Sequence, residues 1–158
     1  MSAGKILAAQ HDGLYILKFV GDVRVNLCTA IDNYFERMFE DPGFESVLVN
    51  LCDAEGLDST TLGLLARLAL RFRQQFGLKP AIYCDSAGIN RLLQSMAFGK
   101  IFDIREQSCA ELENITEIPA ISGDEEAARE KVLEAHRVLM AMSEENWERF
   151  RDLVSALE

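Results

Sequence analysis

The chain has 158 residues, 49% of them apolar and 27% charged, with a formal net charge of −10. That length suits a single domain of about 100–200 residues, and the apolar fraction argues against a disordered chain. The acid is unevenly spread: residues 1–104 hold 12 acids and 10 bases, whereas residues 105–158 hold 14 acids and 6 bases. No basic patch is visible to neutralise phosphates, so nucleic acid is not expected as a partner.

No apolar run reaches the roughly 18–20 residues that span a bilayer, and the best stretch, Leu62 to Leu70, is broken by Arg67. The N-terminal residues carry too short an apolar segment for a secretory signal, so a cytoplasmic location without membrane contact is expected. Cys28, Cys52, Cys84 and Cys109 form no CxxC pair, and the chain has only two histidines. Neither a metal site nor a cofactor is expected, and the thiols read as reduced and mostly buried.

Residues 5–10 and 14–20 predict two strands joined by His11-Asp12-Gly13, since Asp-Gly between apolar runs signals a hairpin. His11 therefore falls at an exposed turn. From Asn26 to Asp41 the residues Leu27, Ile31, Tyr34, Phe35, Met38 and Phe39 recur at helical spacing, and Asp41-Pro42-Gly43 ends that helix. The apolar run Ser46 to Leu51 fits a strand buried on both faces.

A helix follows from Thr60 to about Phe76, with Leu62, Leu65, Leu68, Ala69, Phe72 and Phe76 on one stripe and Arg67, Arg71 and Gln74 on another face. Residues 80–84 predict a short strand, 87–97 a helix and 100–104 another strand. This β-β-α-β-α-β-α-β order is an α/β fold, in which helical connections make parallel neighbours and the hairpin adds an antiparallel pair.

The texture changes after Glu117. Residues 118–123 look like a linker; Asp124 to about Met142 predicts a helix with acids in its first turn, as the helix dipole favours. Ser143 then caps a second helix whose apolar face is Trp147, Phe150, Leu153, Val154 and Leu157. Two roles are open for this pair: covering its own domain, or offering a partner-binding or dimerising surface anchored by Trp147 and Phe150, because aromatic residues are favoured as hot spots. His136, on the first of these helices, reads as a surface residue.

The most informative stretch is Val47 to Leu65, VLVNLCDAEGLDSTTLGLL. Asp58-Ser59-Thr60-Thr61 lies between a strand's loop and a helix, so Asp58 or Ser59 can cap that helix by accepting from its free N–H groups. A plain cap would explain these residues by itself.

The stretch Asp58-Ser59-Thr60-Thr61-Leu62-Gly63 also resembles the STAS domain of anti-sigma factor antagonists, in which a Ser in Asp-Ser-Ser/Thr-Gly-Leu-Gly is reversibly phosphorylated. A second likeness runs from Asp85-Ser86-Ala87-Gly88-Ile89-Asn90-Arg91-Leu92-Leu93 to Lys100-Ile101-Phe102. The resemblance covers roughly residues 4–112. It implies a STAS-like mixed sheet of about five strands with packed helices over residues 1–112, beyond which the residues themselves read as a linker at 113–123 and an added acidic helical pair at 124–158.

Among such proteins the chain is most similar to the HsbA type of proteobacterial partner-switching regulator, whose Ser-Thr-Thr-Leu variant it shares. The resemblance implies phosphorylation of Ser59, with Asp58, Thr60, Thr61 and Arg24 forming the partner-binding surface around the switch. It implies that the unphosphorylated form binds an anti-sigma factor, the flagellar one being a candidate, and frees the sigma factor. The serine kinase and phosphatase would set the Ser59 state, with one response regulator a candidate carrier of both activities. Phosphorylation then changes the partner.

Two departures stand out. Thr61 replaces the usual glycine and makes Thr60 or Thr61 a candidate second acceptor. Arg24 occupies the place of the family's aspartate after the second strand, where its charge is reversed near the kinase's docking site.

Two other functional classes compete with this reading. A helix N-terminus beside a Ser/Thr cluster could serve an anion- or nucleotide-binding STAS sensor module. A hydrolase using Ser59 or a thiol lacks an evident general base, with His11 at a turn and His136 in the appended helix, and no G-x-S-x-G elbow is present. No enzymatic activity is therefore expected.

Overall fold

In the computed structural model, which describes residues 2–109, 115–121 and 124–158, alternating apolar residues set up the first two strands. β1 (Lys5–His11) and β2 (Leu14–Val23) pair antiparallel through the expected hairpin, with Asp12 and Gly13 both at positive φ (48° and 85°) as a two-residue turn of this kind requires. A 3-10 turn at Val25–Leu27 leads into α1 (Cys28–Glu40). β3 (Ser46–Asn50), β4 (Ala54–Leu57), α2 (Ser59–Phe76), β5 (Ala81–Tyr83), α3 (Ala87–Ser95), β6 (Asp103–Arg105) and β7 (Thr116–Glu117) follow. α4 (Glu125–Met142) and α5 (Glu144–Leu157) complete the chain.

The fold is α/β. Its mixed sheet runs in the order β6-β5-β3-β2-β1-β7, with β4 paired to the far end of β2. The β2–β3, β3–β5, β5–β6 and β2–β4 pairs are parallel, while β1 is antiparallel to both β2 and β7. β2 leaves β3 after Lys18 and takes β4 as its neighbour from Gly21, with a register shift between Gly21 and Asp22. That exchange carries the chain from the sheet to the start of α2.

The sheet has seven strands rather than about five, because β4 and β7 are short elements whose pairing is imposed by β2 and β1. The strand expected at 100–104 is displaced, since Phe98–Lys100 is a 3-10 turn and pairing begins at Asp103. Within the stretch expected as a linker, Thr116 and Glu117 pair with β1 and Ile118 joins the core. Residues 113 and 114, and 122 and 123, lie outside the described residues.

The helical pair is packed on the rest of the chain, with α4 along α2 and α5 along α4. Leu139 and Phe150 belong to the same buried cluster as Phe19, Leu65 and Phe98. α2 is consequently enclosed on almost every side over Thr60–Ala66, well beyond the single stripe its periodicity predicts. The apolar face read for α5 is also narrower: Asn146, Phe150 and Val154 are buried, whereas Trp147 and Leu153 are exposed.

No helix among the described residues is long and apolar enough to cross a membrane.

Candidate functional site

The start of α2 is built by Asp58. Its backbone is extended, so its carboxylate turns back over the first helical turn: Oδ1 accepts from the Thr61 N–H at 2.8 Å and from the Thr61 hydroxyl at 2.7 Å. Oδ2 accepts from the Val25 N–H at 2.7 Å, which ties the β2–α1 connection to the same helix end. One carboxylate thus fixes two chain segments, and it already takes the N–H that a bound anion would seek.

Thr61, expected as a candidate acceptor, is fully buried, and its hydroxyl lies 3.7 Å from the Cys28 thiol. Burial pushes that thiol up to about 12, well beyond the range of a reactive cysteine. Thr60 is buried as well. The threonine in the glycine position therefore serves the cap and the core. Of the three consecutive hydroxyl residues, only Ser59 is partly open.

Arg24 and Val25 lie beside this helix end and are exposed. Arg24 donates to Asp22 at 2.6 Å, and that bond, strengthened by the charges of Asp22 and Asp58, raises its pKa above the ordinary arginine value. The cluster of Arg24, Asp58 and Ser59 expected around the switch is thus brought together, with the side chains of Thr60 and Thr61 withdrawn from it.

The residue that sequence reasoning misplaced is His136. It is 2% exposed, not a surface group, and its Nε2 lies 2.7 Å from Ser59 Oγ. Its Nδ1 lies 2.7 Å from the Val132 carbonyl oxygen. A carbonyl only accepts, so the ring hydrogen sits on Nδ1, and in the neutral ring Nε2 accepts the Ser59 hydroxyl hydrogen. Phe150 closes the far side of the ring edge-on at 5.0 Å, so this proposed anchor is spent inside the fold. Trp147 stays exposed, with Arg151 over its ring.

α4 reaches Ser59 because Gly63, one turn along α2, has no side chain. A Cβ there would stand 2.4 Å from the Ala135 carbonyl oxygen and 2.5 Å from the Ala135 Cβ. The approach is reinforced by charge. Asp32 on α1 is buried and receives Arg67 of α2 at 2.9 Å and Lys131 of α4, while Arg67 also reaches Glu134 at 3.0 Å. At the other end, Lys100 donates to the last carbonyl of α4 (Met142) at 3.1 Å and Asn146 to Met96 at 3.0 Å.

The second sequence motif is structural. Ser86 caps α3 by accepting from the Ile89 N–H, and Asn90 donates to the Cys84 carbonyl at 3.0 Å. Among the described residues, no three His, Cys, Asp or Glu side chains gather to hold a metal ion. Comparison of the chain with protein-family models and with curated protein sequences finds no match.

Proposed function

We propose that the protein is an anti-sigma factor antagonist, similar to the HsbA type of STAS-domain regulator, that acts as a partner switch controlled by phosphorylation of Ser59. The unphosphorylated form binds an anti-sigma factor, and phosphorylation exchanges that partner. The flagellar anti-sigma factor and a response regulator with kinase and phosphatase activity are the proposed partners, in the cytoplasm.

The observation that carries this reading is the placement of Ser59. It is the first residue of an 18-residue helix, beside the exposed Arg24 and Val25, and it is the partly open hydroxyl of a Ser-Thr-Thr run whose other members are sealed. A phosphate at a helix N-terminus meets the positive end of the dipole, so the modification leaves the helix intact while adding about 1.5 to 2 negative charges to the surface. An unpaired charge in an interface costs several kcal/mol, and about 2.7 kcal/mol is already a hundredfold in affinity.

Pull-downs with Ser59→Ala and Ser59→Asp baits test the switch. An anti-sigma factor identified on the first bait and absent from the second supports it; identical partner sets on both baits overturn it.

The Ser59–His136 hydrogen bond favours one competing reading, a serine nucleophile with a histidine base. A fluorophosphonate probe separates the two. The switch predicts no labelling, whereas labelling at Ser59 that disappears in His136→Ala would establish the nucleophile.

A further inference from the structure

The acceptor hydroxyl of the proposed switch is held by the chain's own C-terminal helix. The geometry points to α4 as a lid over Ser59, latched by His136 and released when Ser59 is phosphorylated; this inference rests on the reading of Ser59 as the phosphorylation site. The latch is specific in its chemistry. Nδ1 of His136 is committed to the Val132 carbonyl, so the closed form of the neutral ring needs a hydrogen on Ser59 Oγ for Nε2 to accept.

Transfer of a phosphoryl group from a nucleoside triphosphate forms a P–Oγ bond, breaks the bond between the γ-phosphorus and the β–γ bridging oxygen, and releases that hydroxyl hydrogen as a proton. The ester oxygen that then stands opposite Nε2 carries no hydrogen, and the phosphoryl group must be seated where the ring now closes to 2.7 Å of Ser59 Oγ. The ring is 2% exposed and packed against Phe150, so it has little room to turn away without α4 moving.

Charge acts in the same direction. Residues 124–158 carry ten acids against five bases, and Asp58 already stands next to the acceptor. The modification adds about 1.5 to 2 further negative charges at that point. Lys131, on the same helix as His136, is engaged by the buried Asp32.

The lid seats on the helix that carries Ser59, and Gly63 is what lets it descend. The first turns of α4, Glu125–Glu130, are exposed on every side, so the inward contacts of this helix start at Lys131. Release uncovers the Ser59 end of α2 to a partner and, through Trp147 and Leu153, moves an already exposed apolar edge of α5.

Amide hydrogen exchange of the full chain, followed by mass spectrometry, tests the lid without any kinase or anti-sigma factor. Three proteins are compared: the unmodified chain, the chain carrying genetically encoded phosphoserine at position 59, and Gly63→Ala. Exchange in peptides from 131–142 should rise at least tenfold in the phosphorylated chain and in Gly63→Ala, with β2 and β3 peptides unchanged.

Unchanged or slower exchange of 131–142 in the phosphorylated chain, while Gly63→Ala exchanges faster, overturns the lid, because the phosphate is then held by the closed form. Unchanged exchange in Gly63→Ala overturns the docking geometry itself. A lid that opens with phosphoserine, together with Ser59→Ala and Ser59→Asp baits that hold the same partners, would leave the lid standing and remove the partner switch.

Discussion

Gly63→Ala is the sharpest perturbation of the helix contact on which the site depends, because the ordinary effect of this exchange has the opposite sign. In an exposed helix interior, alanine is more favourable than glycine by about 1 kcal/mol. At position 63 the added methyl carbon meets the Ala135 Cβ at 2.5 Å and the Ala135 carbonyl oxygen at 2.4 Å. Carbon–carbon contacts settle near 3.5–4.0 Å, so α4 must withdraw by about 1–1.5 Å or α2 must shift by as much. Overpacking of this kind costs about 1–3 kcal/mol, occasionally more.

The expected outcome is a net loss of about 1–2 kcal/mol in urea unfolding, equivalent to a lowering of roughly 2–8 °C in Tm at this chain length. The same withdrawal carries the 2.7 Å Ser59–His136 bond past hydrogen-bonding distance, although neither residue is altered. Long-range ¹H–¹⁵N spectra of the imidazole nitrogens should report a changed Nε2 environment. A variant that is about 1 kcal/mol more stable than the parent, with unchanged imidazole signals, would refute the close approach of α4 to α2.

Other contacts of the fold give three further outcomes. Asp58→Ala removes the cap of α2 and the acceptor for the Val25 N–H together, so a loss of about 2–3 kcal/mol is expected in denaturant unfolding, with Asp58→Asn intermediate because its amide keeps one acceptor oxygen. Phe150→Ala should cost about 3–5 kcal/mol, whereas Trp147→Ala, at an exposed position, should stay within about 0.5 kcal/mol; similar costs for both would contradict the packing of α5. Tyr15 is raised above the ordinary phenol range by burial and by its bond to Asp41, and that bond holds the Asp41 carboxyl below its ordinary range. Stability should therefore fall as pH rises above about 10, where the unfolded phenol ionises first, and fall again on acidification below about 4 as Asp41 protonates. Tyr15→Phe should flatten both arms of a stability–pH profile measured by chemical unfolding.

The parts of the fold legible in the sequence are those whose pattern is local. Asp12-Gly13 announces its own turn, and the Ser46–Leu51 run is apolar enough to be a strand wherever it pairs. β4 carries no such signal: Ala-Glu-Gly-Leu has neither alternation nor branching, and it is a strand because β2 runs on past its pairing with β3 and presents an open edge from Gly21. β7 is two polar residues made extended by the edge of β1. Asp58 is legible as a cap because capping is a contact three residues long.

His136 is the opposite case. It bonds to a residue 77 positions away, and in sequence it sits on a helix rich in charge, where a surface position is the ordinary expectation. Period alone could not distinguish it, because Leu133, Ala135, His136 and Leu139 form the buried side of α4, and only two of those are strongly apolar.

The signal that did exist was on the other helix. Gly63 interrupts an otherwise strong helix-forming run, Leu62 to Leu70, at a cost of about 1 kcal/mol, and no turn or cap there needs a glycine. A mid-helix glycine of that kind marks where another backbone comes close, and Ser59, at i−4, shares its face. Position 63 is thus the one signal in the sequence that points to a neighbour packed close to Ser59, although by sequence it reads only as part of the Asp58–Gly63 motif. The identity of the cover required the tertiary structure, because α4 is selected by the charges at Asp32, Arg67 and Lys131 and by the small Ala135 together, and none of these is informative alone.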